Sequence, residues 1–244
     1  MAALPTDDER SVAVVAAIRA GDVQQLEQLL KQHARLATAR LGDDGPDGMT
    51  RSLLHVVTDW PGHFPNGART VAVLVAAGAD VNARFHGPHA ETPLHWAASN
   101  DDVAVLDALL DAGADIEAPG AVLGGGSPLA DAVGFAQWNA ARRLVERGAR
   151  VDSGQAAALG MIEQVHSHFA ADHVDRDEVS RAFWLACHGG QRATAAYLLE
   201  RGATLNWLPS WERLTPLDAA RRNGFDHVAE WLRGQGARPA AQLD

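Results

Sequence analysis

Three stretches of the chain align residue for residue without a gap: Thr92-Pro93-Leu94-His95-Trp96-Ala97-Ala98, Ser127-Pro128-Leu129-Ala130-Asp131-Ala132-Val133 and Thr215-Pro216-Leu217-Asp218-Ala219-Ala220-Arg221. Each runs on into a Gly-Ala pair, and Pro93 to Gly113, Pro128 to Gly148 and Pro216 to Gly236 are all 20 positions apart. A unit of this size cannot bury an apolar face by itself, so the copies must stack on one another. Weaker copies run from Ser52 to Ala79, from Val179 to Ala203, from Gly154 to Phe169 and through an N-terminal segment ending at Gly21. The 244 residues therefore hold about seven units.

Each strong unit reads as two short helices. Thr92 can accept a free amide at the start of the first helix, and Pro93 sits in the first turn, where its missing N–H costs nothing. Leu94, Ala97 and Ala98 give that helix one apolar face, and the small alanines let a second helix approach closely. The second helix presents Val103, Val105, Leu106, Leu109 and Leu110, and Gly113 supplies the left-handed residue that ends it.

These residues resemble the ankyrin repeat, whose T-P-L-H-x-A signature stands here as Thr92 to Ala97 and whose GAD-x-N ending stands as Gly78-Ala79-Asp80-Val81-Asn82. The resemblance covers nearly the whole chain. It implies an all-α solenoid of about seven helix-turn-helix units with hairpin-like finger loops, a single ankyrin-repeat domain over 1–244 of the stand-alone bacterial type. It also implies a structural role for His95, and for His55 in the same place, with the ring bonded to neighbouring backbone. Fingers are expected at 84–89, 119–126 and 207–213, and about five extra residues, 61–65, separate the helices of the second unit. The segment Ser153 to Phe169 lacks both the Pro-Leu start and the Gly-Ala end, and an acidic connector follows at 170–178. An irregular junction at 153–178 is compatible with one continuous stack or with two sub-stacks that bend there. Residues 1–10 and 238–244 read as frayed ends, and the last helix carries the polar face of a terminal cap.

With 21 Lys plus Arg against 31 Asp plus Glu, the chain carries a formal charge of −10, which argues against general affinity for nucleic acid or an anionic membrane. No apolar run is long enough for a conventional transmembrane helix. The acidic opening MAALPTDDER differs from a secretory signal, and the single cysteine, Cys187, fits a reducing compartment. A cytoplasmic location is the expectation.

Stacking places equivalent positions side by side on a concave face. The register puts Arg19, Asp59, Trp60, Trp96, Ser99, Asn100, Gly134, Phe135, His188, Gly189, Arg222 and Asn223 there, with Trp207, Trp211, Glu212 and Arg213 on the last finger. Aromatic, amide and guanidinium groups of this kind are enriched at recognition hot spots. Trp60, Trp207 and Trp211 are the expected anchors, with Arg213, Arg222 and Asn100 orienting the partner. For Trp207 and Trp211 the competing reading is that they fold back over the preceding helices. For Trp96, Trp138, Trp184 and Trp231 packing between units is expected.

No catalytic constellation stands out. Cys187 and His188 are adjacent, so on a helix they diverge by about 100°. His166 and His168 are two apart, and metal pairs on one helix face prefer three or four. His86 and His89 share a finger without accompanying thiol or carboxylate ligands, and 43–48 only faintly resembles a calcium loop. Gly124-Gly125-Gly126-Ser127 lacks the lysine and the preceding strand of a phosphate loop. No metal or cofactor is expected. Two functions remain in view: a non-catalytic scaffold for a protein partner, or a small-molecule binder or enzyme with a pocket in the concave groove under the long loops.

Overall fold

Helices of seven residues do not persist alone in water, so their stability must come from what they pack against. A computed structural model describes residues 3–43, 45, 48–170 and 174–243 and shows fourteen α-helices among them, arranged as seven pairs. The chain divides into two compact units, Met1–Ala149 and Arg150–Asp244. The first holds α1 Glu9–Ala20 with α2 Val23–Gln32, α3 Leu53–Val57 with α4 Gly67–Ala76, α5 Pro93–Ser99 with α6 Val103–Asp111, and α7 Pro128–Gly134 with α8 Trp138–Glu146. The second holds α9 Ser153–Leu159 with α10 Ile162–Phe169, α11 Arg176–His188 with α12 Arg192–Glu200, and α13 Pro216–Arg222 with α14 Asp226–Gly234. The fold is all-α and of the helix-turn-helix repeat type that the sequence predicts.

Within each unit the cores are built from the repeated apolar positions. Leu94, Ala97, Ala98, Leu129, Ala132, Leu217, Ala219 and Ala220 are all buried, as are Val105, Leu106 and Leu109 of α6. Val103 and Leu110 differ from expectation in being only half-buried, because they flank the contact stripe of a helix just nine residues long.

A second set of contacts ties successive pairs together. His55 and His95 occupy the same repeat position, three residues after the N-caps Ser52 and Thr92. The Thr92 amide donates to His95 Nδ1 at 3.1 Å, which places the ring proton on Nε2, and Nε2 donates 3.3 Å to the Gly126 carbonyl just before the next N-cap. His55 Nε2 reaches the Glu91 carbonyl in the same way at 3.2 Å. In the second unit the position 18 residues before the closing glycine is Trp184, whose indole N–H donates to the Leu214 carbonyl at 2.8 Å, just before the N-cap Thr215. An indole thus substitutes for the imidazole at this joint. In the last repeat Asp218 takes the place, accepting from the Ala240 amide at 2.7 Å.

Side-chain amides form two further joints. Asn82 accepts from the Asp115 amide at 2.8 Å, and Asn206 from the Arg238 amide at 2.8 Å, at matching positions one repeat apart. Asn100 donates to the Thr58 carbonyl and Asn223 to the His188 carbonyl, both at 2.8 Å, satisfying carbonyls that the end of a helix leaves open. Asp101 reaches the Ala140 amide at 2.7 Å and so serves the start of α8, whose own N-cap residue Gln137 does not.

The fingers follow expectation in part. At 84–91 the Phe85 amide donates to the Glu91 carbonyl, and at 119–126 Gly120 and Ala121 donate to Gly125 and Gly126. A finger not anticipated lies between α2 and α3, where β1 Arg40–Gly42 pairs antiparallel with β2 Thr50–Ser52. Arg40 binds its partner strand at Thr50 and reaches the Arg84 carbonyl of the next finger at 2.7 Å. The ends, expected to fray, are tied down where described. Leu4 exchanges backbone hydrogen bonds with Arg40 and Gly42, and Ala240 is buried against α13. Met1, Ala2, Asp44, Pro46, Asp47, 171–173 and Asp244 lie outside the described residues, so the faint calcium-loop resemblance and much of the acidic connector do too.

Replacing Trp184 by phenylalanine keeps an aromatic ring and leaves the Leu214 carbonyl without its donor. Equilibrium chemical denaturation is expected to show a loss of about 1–3 kcal/mol. A loss below about 0.5 kcal/mol would mean that the indole N–H contributes nothing to the joint.

Candidate functional site

In the first unit the residues eight places after the N-caps Ser52, Thr92 and Ser127 are Trp60, Asn100 and Phe135. Trp60 is 80% exposed and Phe135 44%, whereas Asn100 commits its amide to the Thr58 carbonyl. Beside Trp60, Asp59 is held by Arg51 at 2.8 Å and by Arg19 at 3.1 Å, so it is already neutralised. Ser99 turns inward, its hydroxyl donating to the His95 carbonyl at 2.9 Å. Trp96 is half-buried, edge-on to His55 at 4.9 Å and tilted against Phe85 at 5.4 Å, which fits its expected packing role.

In the second unit the expected residues converge more closely. Trp184 is buried and stacks on His188 at 5.1 Å with an angle of 16° between rings. Trp211 stands edge-on to Trp184 at 5.9 Å and to Trp207 at 5.7 Å. Trp207 is half-buried and donates its indole N–H to Asp177 at 2.7 Å, while Trp211 remains 48% exposed. His188 Nδ1 accepts from the Asn223 amide at 2.8 Å and the Arg222 guanidinium at 3.3 Å, and Arg222 is paired with Glu212 at 2.6 Å. Arg213 is exposed. The last finger is therefore partly folded back through Trp207 and partly presented through Trp211.

The sequence does not single out a pair of buried carboxylates. Glu91, at the base of a finger, is 7% exposed, and Asp131 of α7 is fully buried with neither oxygen hydrogen-bonded. Burial and the neighbouring Glu91 carboxylate push Asp131 up to about 7; the backbone amides of Leu123 and Val122 approach it without reaching hydrogen-bond geometry. Burial also raises Glu91, offset by a hydrogen bond from Trp96. Asp131 occupies the repeat position of Trp96, and only its type departs from the pattern. Leu123 of the 119–126 finger lies across α7 against Gly134, where an added Cβ would fall 2.0 Å from the leucine methyl and make that side chain shift.

The other candidates for chemistry are engaged elsewhere. Cys187 is fully buried, which raises its thiol well above its ordinary range. His166 packs on Tyr197 at 4.2 Å and His168 meets Glu178 at 2.6 Å. Among the described residues no three of His, Cys, Asp and Glu come together as a metal set, and no helix is long and apolar enough to cross a membrane. An open depression of about 570 Å³ lies on the N-terminal helix pair, lined by Asp8, Glu9, Arg10, Ala13, Leu29 and His33, none of them an expected site residue.

The buried groups set opposing pH dependences. Burial lowers His55 to about 3 and His95 to about 4 from an ordinary 6.5, so between pH 6.5 and 4 the unfolded chain binds protons the folded one refuses, and stability falls as pH falls. Asp131 acts in the other sense. The folded chain holds its proton to about 7 where the unfolded chain releases it near 3.8, so this contribution is present below 3.8 and is lost as pH rises through 7. Thermal unfolding followed by circular dichroism is expected to show Asp131→Asn melting above the parent at pH 8, with the gap closing toward pH 4. A variant that melts lower at pH 8 would show that the ionised carboxylate is compensated.

Residues 65–155 match the family model for ankyrin repeats in three copies. Over 187 residues, 72% of this chain, the sequence is 30% identical to an ankyrin repeat and KH domain-containing protein of Caenorhabditis briggsae, and 27% identical to ankyrin repeat and KH domain-containing protein mask-1 of Caenorhabditis elegans. The match spans 7% of the length of each relative. With seven helix pairs, ring-to-backbone joints at the His95 position and a matching family model, the chain is an ankyrin-repeat protein.

Proposed function

We propose that this chain is a non-catalytic scaffold that binds a protein partner through the inner-helix ends and fingers of its repeats. Ankyrin repeats are generally protein–protein interaction modules. The observation that carries the reading is the exposure of large aromatic groups at a recurring slot: Trp60 and Phe135 occupy the same repeat position and remain open to solvent, although neither holds the fold together. Trp211 adds a half-exposed indole backed by Trp184 and Trp207, a rigid anchor that loses little freedom on docking. Arg222, Asn223, Asp59 and Asn100 are fixed by internal bonds and so shape the surface, while Arg213 is left to meet the partner. The acidic balance argues against nucleic acid and anionic membrane as partners. The reading places the scaffold in the cytoplasm, where its one thiol stays reduced.

Affinity purification from the native host, compared between parent and a Trp60→Ala/Phe135→Ala/Trp211→Ala variant, tests this. The variant is expected to lose the captured partner while its unfolding free energy changes by less than about 1.5 kcal/mol in total. Retention of the partner by a folded variant would overturn the reading. So would a stability loss as large as that of a core truncation such as Leu94→Ala, expected at about 2–5 kcal/mol.

A further inference from the structure

Two buried carboxylates, close enough that Glu91 acts electrostatically on Asp131, lie beside neighbouring fingers, and the one cationic group that acts on either is the His89 imidazole near Glu91. Glu91 and Asp131 are 7% and 0% exposed, and neither takes part in a salt bridge among the described residues. Arg84, on the neighbouring finger, commits one nitrogen to the carbonyls of Ala90 and Pro119. Glu91 takes a hydrogen bond from Trp96, but packing does not explain Asp131, since a buried acid without a partner is costly and an apolar residue of similar volume would serve the core better. The cover over them is light. Leu123 is 40% exposed, and the two residues that follow it, Gly124 and Gly125, have open space around the position of a Cβ. Phe135 stands one helical turn beyond Asp131 on the same face and is also open to solvent.

We propose that Glu91 and Asp131 form an acceptor site for the guanidinium of an arginine in the partner polypeptide, entered by displacing Leu123. A guanidinium brings five N–H donors in a planar fork, enough to serve both carboxylates at once, where an ammonium brings three from a single point. The apolar stem of an arginine can lie along Leu123 and Phe135 while its head reaches inward. The surrounding charge favours such a visitor, because residues 1–149 carry 19 Asp plus Glu against 11 Lys plus Arg. This deepens the scaffold reading by giving the chemistry of one contact, and it rests on that reading for the claim that the arginine belongs to a partner.

Titrating the full ¹⁵N-labelled chain with acetyl-Gly-Arg-Gly-amide, and following the backbone amides of 121–135, tests the site directly. The arginine peptide is expected to shift Leu123, Gly124, Gly125 and Asp131. Its citrulline counterpart, which keeps the shape without the charge, is expected to leave them in place. Asp131→Asn, which keeps the shape of the side chain and removes a buried acid, is expected to stay folded and to weaken the peptide at least about tenfold, and Leu123→Ala to tighten it by opening the cover. Absence of shifts with the arginine peptide, equal shifts with citrulline or with lysine in its place, or unchanged affinity in Asp131→Asn would each overturn the site. Free arginine binding as tightly as the peptide would overturn the assignment to a partner chain. Failure here leaves partner capture through Trp60, Phe135 and Trp211 standing, whereas loss of that capture result with the peptide shifts intact would remove the scaffold reading and keep the cation site.

Discussion

The fold depends on one recurring hydrogen bond, from a ring on an inner helix to the carbonyl that precedes the next repeat's N-cap. A helix of seven residues has four amides and four carbonyls without intrahelical partners, so it consists almost entirely of ends. Hydrophobic stacking can press such helices together but does not set their offset along the stack. The bonds from His55 to Glu91, His95 to Gly126 and Trp184 to Leu214 do, because each fixes the start of the next repeat against the preceding helix. The chemistry of the joint also fixes a protonation state. His95 can accept at Nδ1 and donate at Nε2 only while neutral, and burial among apolar neighbours keeps it neutral far below its ordinary range.

Most of this was legible from spacing. Counting back 18 residues from Gly113, Gly202 and Gly236 lands on His95, Trp184 and Asp218, three unlike side chains with one task, and the residue at that slot in α7 is Ala130. The family pattern identifies the histidine, and the count identifies its substitutes. The finger at 40–52 was less legible, because its two strands are three residues long and Arg40 is anchored by carbonyls that only the tertiary structure supplies. The tying of Leu4 to Arg40 and of Ala240 to Asp218 likewise depends on partners distant in sequence.

The candidate surface was legible in its positions and less so in its exposures. Register placed Trp60, Asn100 and Phe135 in one row, but which of them faces solvent follows from local partners. Asn100 has a carbonyl within reach and takes it, while Trp60 and Phe135 stay open. Asp131 shows the limit most plainly. From sequence an aspartate in a short helix reads as solvated, because carboxylates are rarely buried without a partner. Its burial comes from the 119–126 finger lying over α7, a contact made against Gly134 and invisible to any periodicity.

A repeat array separates holding from binding by giving each task its own slot, and the slots here differ in how far they tolerate change. Three residues after the N-cap, His55, His95 and Asp218 reach the backbone that follows their own repeat, and Ala130 in α7 cannot. Four residues after it, the slot holds Val56, Trp96, Asp131 and Ala219, which share neither size nor charge. Eight residues after it, it holds Trp60, Asn100, Phe135 and Asn223. The eighth position, where Trp60 and Phe135 stand open to solvent, is under no common packing demand, whereas the fourth buries Val56, Asp131 and Ala219. The physical consequence is that chemistry can be exchanged at the eighth position at little cost to the stack, and the buried acid at the fourth residue of α7 persists because the His95–Gly126 joint that precedes it does not pass through it.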